Sequence, residues 1–90
     1  MKYTITKIDI INAITYIGQE DKLLWNNAND GLLELEIKLE YEEELMDRVK
    51  KYLKKEHYLT ELETTNDDIL DVWYDYYEEL HELIDNYSSN

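Results

Sequence analysis

Apolar and polar residues alternate most regularly between Leu33 and Tyr41. Leu33, Leu35, Ile37, Leu39 and Tyr41 are separated by Glu34, Glu36, Lys38 and Glu40. A period of two places the two sets on opposite faces of a strand. One buried and one wet face predict an antiparallel hairpin. Its partner strand is read at 22–26, and Asn27-Ala28-Asn29-Asp30-Gly31 supplies turn chemistry between the two. The hairpin therefore covers about 22–41.

Elsewhere the pattern is helical. Ile10, Ile14 and Ile17 predict a helix over about 7–17, capped by Thr6 or Asp9 and stopped by Gly18. Leu45, Val49, Tyr52 and Leu53 predict a second over about 42–55. Ile69, Val72, Trp73, Tyr76, Leu80, Leu83 and Tyr87 predict a third over about 67–87, with Thr65 or Asn66 as its cap. Residues 57–63 form a further strand or a linker, and residues 2–6 a short strand. The sum is a single α+β domain spanning 1–90: a small antiparallel sheet covered on one side by about three helices. If both outer strands form, the order βαββαβα permits a ferredoxin-like arrangement.

Composition narrows the chemistry. The 90 residues include no cysteine, which excludes disulfides and thiolate metal sites. No apolar run approaches the ~20 residues of a membrane span. The first residues interleave Lys7, Asp9 and Asn12 with apolar ones, unlike a signal peptide. Lys, Asn, Ile and Tyr are frequent and Pro is absent. That usage matches A/T-rich codons, hence a low-GC bacterium or its phage, and the expected location is the bacterial cytoplasm.

Charge changes the picture most. There are 22 acidic and 9 basic side chains, a net charge of -13. Such a chain repels nucleic acid and anionic membranes and suits basic partners. The second predicted helix places its charges as helix stability prefers: Glu42, Glu43 and Glu44 open it, and Lys50, Lys51, Lys54 and Lys55 close it. The last helix does not. From Glu56 onward there is no Lys or Arg, while ten carboxylates fall between Glu61 and Asp85. At about 100° per residue, Asp71, Asp75, Glu78, Glu82 and Asp85 share the face opposite the apolar stripe. Like charges at i,i+4 cost roughly 0.2–0.5 kcal/mol per pair. A face serving only solubility normally intersperses lysines. A local rule broken without local relief is where function is expected. Carboxylates three or four residues apart climb ~4.5–6 Å along a helix. Successive phosphates of a strand lie on the order of 6–7 Å apart, so such a row can occupy arginines and lysines that hold a phosphate backbone. Tyr74 and Tyr77 flank the row, and Glu34 and Glu36 on the wet sheet face extend it. The competing reading is a solvated acidic face that binds nothing.

Other chemistry finds little support. Glu78-x-x-His81 is half of a di-iron motif, and a second copy is missing. His57 has no matching ligand pattern. No phosphate loop, catalytic triad or nucleophile can be assembled, so neither an enzyme nor a cofactor or metal site is expected. Trp25 and Trp73 fall on apolar faces and read as core.

The stretch Asp71-Val72-Trp73-Tyr74-Asp75-Tyr76-Tyr77-Glu78-Glu79-Leu80, with the short, cysteine-free, acidic and Tyr-rich chain around it, resembles the small phage proteins that disable bacterial defence, anti-CRISPR proteins above all. The resemblance implies an inhibitor that occupies the basic nucleic-acid-binding groove of a Cas effector, or of a related restriction or repair enzyme. It would itself bind neither nucleic acid nor membrane. The expected partner-binding residues are Asp71, Tyr74, Asp75, Glu78, Glu82 and Asp85, with Glu34 and Glu36 secondary. The alternative is an interaction module such as an antitoxin or accessory subunit. It would be a monomer, or a homodimer joined through Lys50, Lys51, Lys54 and Lys55.

Overall fold

The isoleucines of the first segment do form a helix, and every other described element is a helix too. The computed structural model describes the backbone of residues 4–34 and 39–87 and the side chains of residues 4–29 and 40–86. Its elements are α1 (Lys7–Glu20), α2 (Lys22–Glu34), α3 (Leu39–Glu56), α4 (Asn66–Asp75) and α5 (Tyr77–Tyr87). Among the described residues there is no strand, so the α+β expectation is overturned and the fold is all-helical.

The predicted hairpin is where the reading fails. Residues 22–34, expected to hold a strand and a turn, are one helix. Asp21 starts it, its Oδ1 accepting from the Leu24 N–H at 3.1 Å. Leu24, Trp25, Ala28 and Asn29 then fall on one buried face at helical spacing. The Asn27–Gly31 turn chemistry yields to this packing, because Ala28 and Asn29 belong to the interior. Of the alternating segment, Leu33 and Glu34 end α2, Leu39 to Tyr41 begin α3, and 35–38 lie outside the described residues. The possible strand at 57–63 is an irregular connection instead. Of the strand at 2–6, residues 4–6 are irregular, and 2–3 lie outside the described residues. With these losses the ferredoxin-like order falls as well.

Helix ends follow local chemistry. Thr6 caps α1 with a reciprocal box: its Oγ1 accepts from the Asp9 N–H at 3.2 Å, and Asp9 Oδ2 accepts from the Thr6 N–H at 2.9 Å. Thr65 and Asp68 repeat the device at α4 with the same distances. Helix α3 ends in a Schellman motif. The Tyr58 N–H donates to the Lys55 carbonyl at 3.4 Å and the Leu59 N–H to the Lys54 carbonyl at 2.8 Å. Tyr58 itself takes the left-handed position, at φ 54°. His57 Nε2 lies 3.7 Å from Asp9 Oδ1 and ties this end of α3 to the start of α1.

All five helices contribute to one buried cluster, and α1 packs against the other four. Trp25 and Trp73 stack at its centre, with ring centroids 5.6 Å apart and planes at 24°. The Trp73 Nε1–H donates to Asn29 Oδ1 at 3.2 Å, and Asn29 Nδ2 donates to the Tyr77 hydroxyl at 3.3 Å. That chain satisfies a buried amide and a buried indole together. Gly18 does not stop α1. It lies within the helix, and its missing side chain admits α5: a Cβ built there would lie 2.5 Å from Ile84 Cδ1.

Candidate functional site

The predicted 67–87 helix is two helices. Tyr76, at φ -118° and ψ 27°, leaves the helical region between α4 and α5. Its N–H still reaches the Val72 carbonyl at 3.0 Å, and its carbonyl accepts from the Leu80 N–H at 2.9 Å. The break re-phases the second half. Ile84 is buried against Gly18, whereas Leu83, assigned to the apolar stripe, is 49% exposed. The side chain of Tyr87 lies outside the described residues.

On α4, the capping box fixes the register, and Ile69, Val72 and Trp73 face the interior. Asp71, Tyr74 and Asp75 therefore face outward, and Tyr74 is 55% exposed. On α5, burial of Leu80 and Ile84 leaves Glu78, Glu79 and Glu82 in solvent. Among the described residues, Asp71, Asp75, Glu78 and Glu82 have no cationic partner. The like-charged neighbours Asp71–Asp75 and Glu78–Glu82 remain within single helices. Asp75–Glu79 spans the break.

Asp85 departs from this row. Its carboxylate lies 2.9 Å from His81 Nε2 and 3.4 Å from Lys22 Nζ, so it is engaged within the chain itself. His81, half of the di-iron spacing, also stacks on Tyr77, with centroids 5.9 Å apart. Tyr77 is half-buried and committed to Asn29, which makes it a packing residue rather than a flank of the row. Glu34 is the last residue of α2 and sits on no sheet face. Glu36 lies outside the described residues.

Comparison with known proteins finds no matching family model, no matching curated protein and no matching solved structure.

The basic residues divide differently. Arg48 NH1 meets Asp21 Oδ2 at 2.9 Å, and NH2 faces Glu44 at 3.7 Å. Lys50 reaches Asp47 at 3.6 Å. Lys51, Lys54 and Lys55 are exposed, and among the described residues they meet no carboxylate. With Asp47, Lys50, Leu62 and Thr64, Lys51 and Lys54 line a shallow depression of about 430 Å³. The surface thus carries separated charges: anions on α4 and α5, cations at the end of α3. No described group of three His, Asp or Glu converges as a metal site would. No described helix is long and apolar enough to cross a membrane.

Sequence reasoning missed Tyr58. Its side chain is 95% exposed although its backbone is strained, and no glycine or asparagine marks the left-handed position. It also missed Asp21 and Asn29, whose roles depend on partners far along the chain.

Proposed function

We propose that this chain is an anti-CRISPR-like inhibitor. It offers Asp71, Asp75, Glu78 and Glu82, with Tyr74 beside them, to the basic nucleic-acid-binding groove of a Cas effector or a related defence enzyme, and blocks DNA or RNA binding there. The observation that carries the reading is the exposed row of carboxylates that meets no cation among the described residues, on a chain that pairs Asp21, Asp47 and Asp85 elsewhere. Arginine accepts carboxylate and phosphate in the same forked geometry. A row of anions also speeds encounter with a basic groove and makes the association sensitive to salt.

The test is binding of labelled target DNA by a guide-loaded Cas effector, measured with and without the protein at low and high salt. Wild type is expected to displace DNA, less effectively as salt rises. Asp75→Lys combined with Glu82→Lys is expected to abolish displacement. The same pair should leave the fold intact or firmer, since each lysine then faces a carboxylate at i,i+4. Undiminished inhibition by that double variant rejects the assignment.

A second reading draws on the uncompensated lysines. Lys51, Lys54 and Lys55 of one copy complement the α4–α5 row of another, as in a self-associating interaction module. Light scattering decides between the two. A salt-sensitive dimer lost on Lys51→Glu with Lys54→Glu favours self-association, and a monomer at all concentrations favours the inhibitor.

A further inference from the structure

A groove of about 560 Å³ opens between the α3–α4 connection and the segment before α1, at the N-terminal end of α4. That volume is within the ~300–1,000 Å³ typical of ligand clefts. Ile5, Leu59 and Leu62 supply apolar lining, Glu61, Glu63 and Asp68 supply carboxylates, and Tyr58 stands at the rim.

Tyr58 is the unusual member. A bulky residue at positive φ is strained, and glycine is the ordinary choice at this position of a Schellman motif. A buried ring would offset that strain by packing. This one is 95% exposed and contributes almost nothing to the core. Glycine there would relieve the strain, and the ring is left exposed to meet another molecule.

We propose that this groove binds an arginine side chain, with an apolar neighbour, presented by an extended segment of a protein partner. An aromatic face at a wet rim attracts a guanidinium, which stacks flat on the ring as an ammonium cannot. Glu61 offers a forked acceptor to its N–H groups, while Asp68, whose Oδ2 is held by the Thr65 N–H, adds negative charge beside it. Ile5, Leu59 and Leu62 take the apolar neighbour. With an anionic rim on a chain of net charge -13, the occupant is a cation rather than a phosphate or an acidic peptide. The site does not depend on the α4–α5 row and can serve whichever partner that row meets.

The probe is the peptide acetyl-Leu-Arg-Leu-amide, titrated into ¹⁵N-labelled protein and followed by NMR. Shifts are expected at Thr4, Ile5 and 58–64. The lysine peptide should bind several-fold more weakly, and the citrulline peptide not measurably. Tyr58→Gly is expected to weaken the arginine peptide at least fivefold while raising the melting temperature. Glu61→Gln should weaken it about threefold. Asp75→Lys with Glu82→Lys should leave the peptide's shifts at this groove in place, which separates this site from the proposed inhibitory row. Equal affinity for the citrulline peptide, an undiminished response in Tyr58→Gly, or shifts confined to α4 and α5 would overturn the proposal. Equal affinity for lysine would overturn the stacking that selects arginine.

Discussion

Asp21 Oδ2 accepts a hydrogen bond from Arg48 NH1 at 2.9 Å, and through it the only residue between α1 and α2 is fastened to α3. The same aspartate closes α1, its N–H donating to the Ile17 carbonyl at 2.9 Å. It opens α2 through Oδ1, and its carbonyl accepts from the Trp25 N–H at 3.1 Å. One residue thus closes one helix, opens the next and anchors that corner to a third.

Replacing Asp21 separates these roles. Asp21→Ala loses the cap and the ion pair and is expected to cost about 1–2 kcal/mol, most of it from the cap. Asp21→Asn keeps a capping oxygen and loses only a half-exposed pair, worth about 0–1 kcal/mol. Urea unfolding of both variants checks this. If asparagine is as damaging as alanine, the ion pair and not the cap holds the corner.

Gly18 and Ile84 form a coupled pair. Gly18→Ala gains about 1 kcal/mol of helix propensity. Its Cβ, however, meets the fully buried Ile84 Cδ1 at 2.5 Å. Overpacking costs about 1–3 kcal/mol, so a net loss near 1 kcal/mol is expected. Ile84→Val removes the clashing atom. The double variant should therefore be more stable than the two single losses predict, by about 1 kcal/mol. Strict additivity in a thermal-unfolding cycle would count against close packing of α1 on α5.

Asn29 joins Trp73 and Tyr77, aromatic residues far from it in sequence. Asn29→Leu leaves the Trp73 indole N–H buried without an acceptor and is expected to cost about 1–3 kcal/mol. Tyr77→Phe removes only the weaker outer bond and should cost less than half as much. A fluorescence-detected denaturation series would show the ordering. The reverse order would place the energetic centre of the network at Tyr77.

Glu42 is only 6% exposed, and burial, with the neighbouring Glu43 charge, raises its pKa above the ordinary 4.5. The sign follows from linkage. Well below pH 4.5 the carboxyl is neutral in both folded and unfolded chains and costs nothing. As pH rises the unfolded chain ionises first. Stability is therefore lost from the ordinary pKa up to the raised folded one, and the loss persists at neutral pH. Glu42→Gln is expected to be more stable than wild type at pH 7, with the difference vanishing in acid. A constant difference across the titration would mean that the carboxylate is not the cause.

Much of the helical half was legible in the residues themselves. The Thr6 and Thr65 boxes are local chemistry, and the stripes Ile10–Ile14–Ile17 and Leu45–Val49–Leu53 are local periodicity. Segregation of acids onto the outer faces of α4 and α5 follows from the same periodicity once Ile69, Val72, Trp73 and Leu80 point inward. What local pattern left undecided, tertiary packing settled. Helix α2 exists because Leu24, Trp25, Ala28 and Asn29 find α1, α3 and Trp73, and that contact outweighs the turn preference of Asn27–Gly31. The break at Tyr76, the commitment of Asp85 to Lys22 and His81, the insertion of Ile84 over Gly18 and the exposed strain at Tyr58 all depend on neighbours distant in the chain. Hydrophobic periodicity reports which side of an element turns inward. It carries no record of what that side meets, and here the meeting partners decide both the fold and which charges remain free for another molecule.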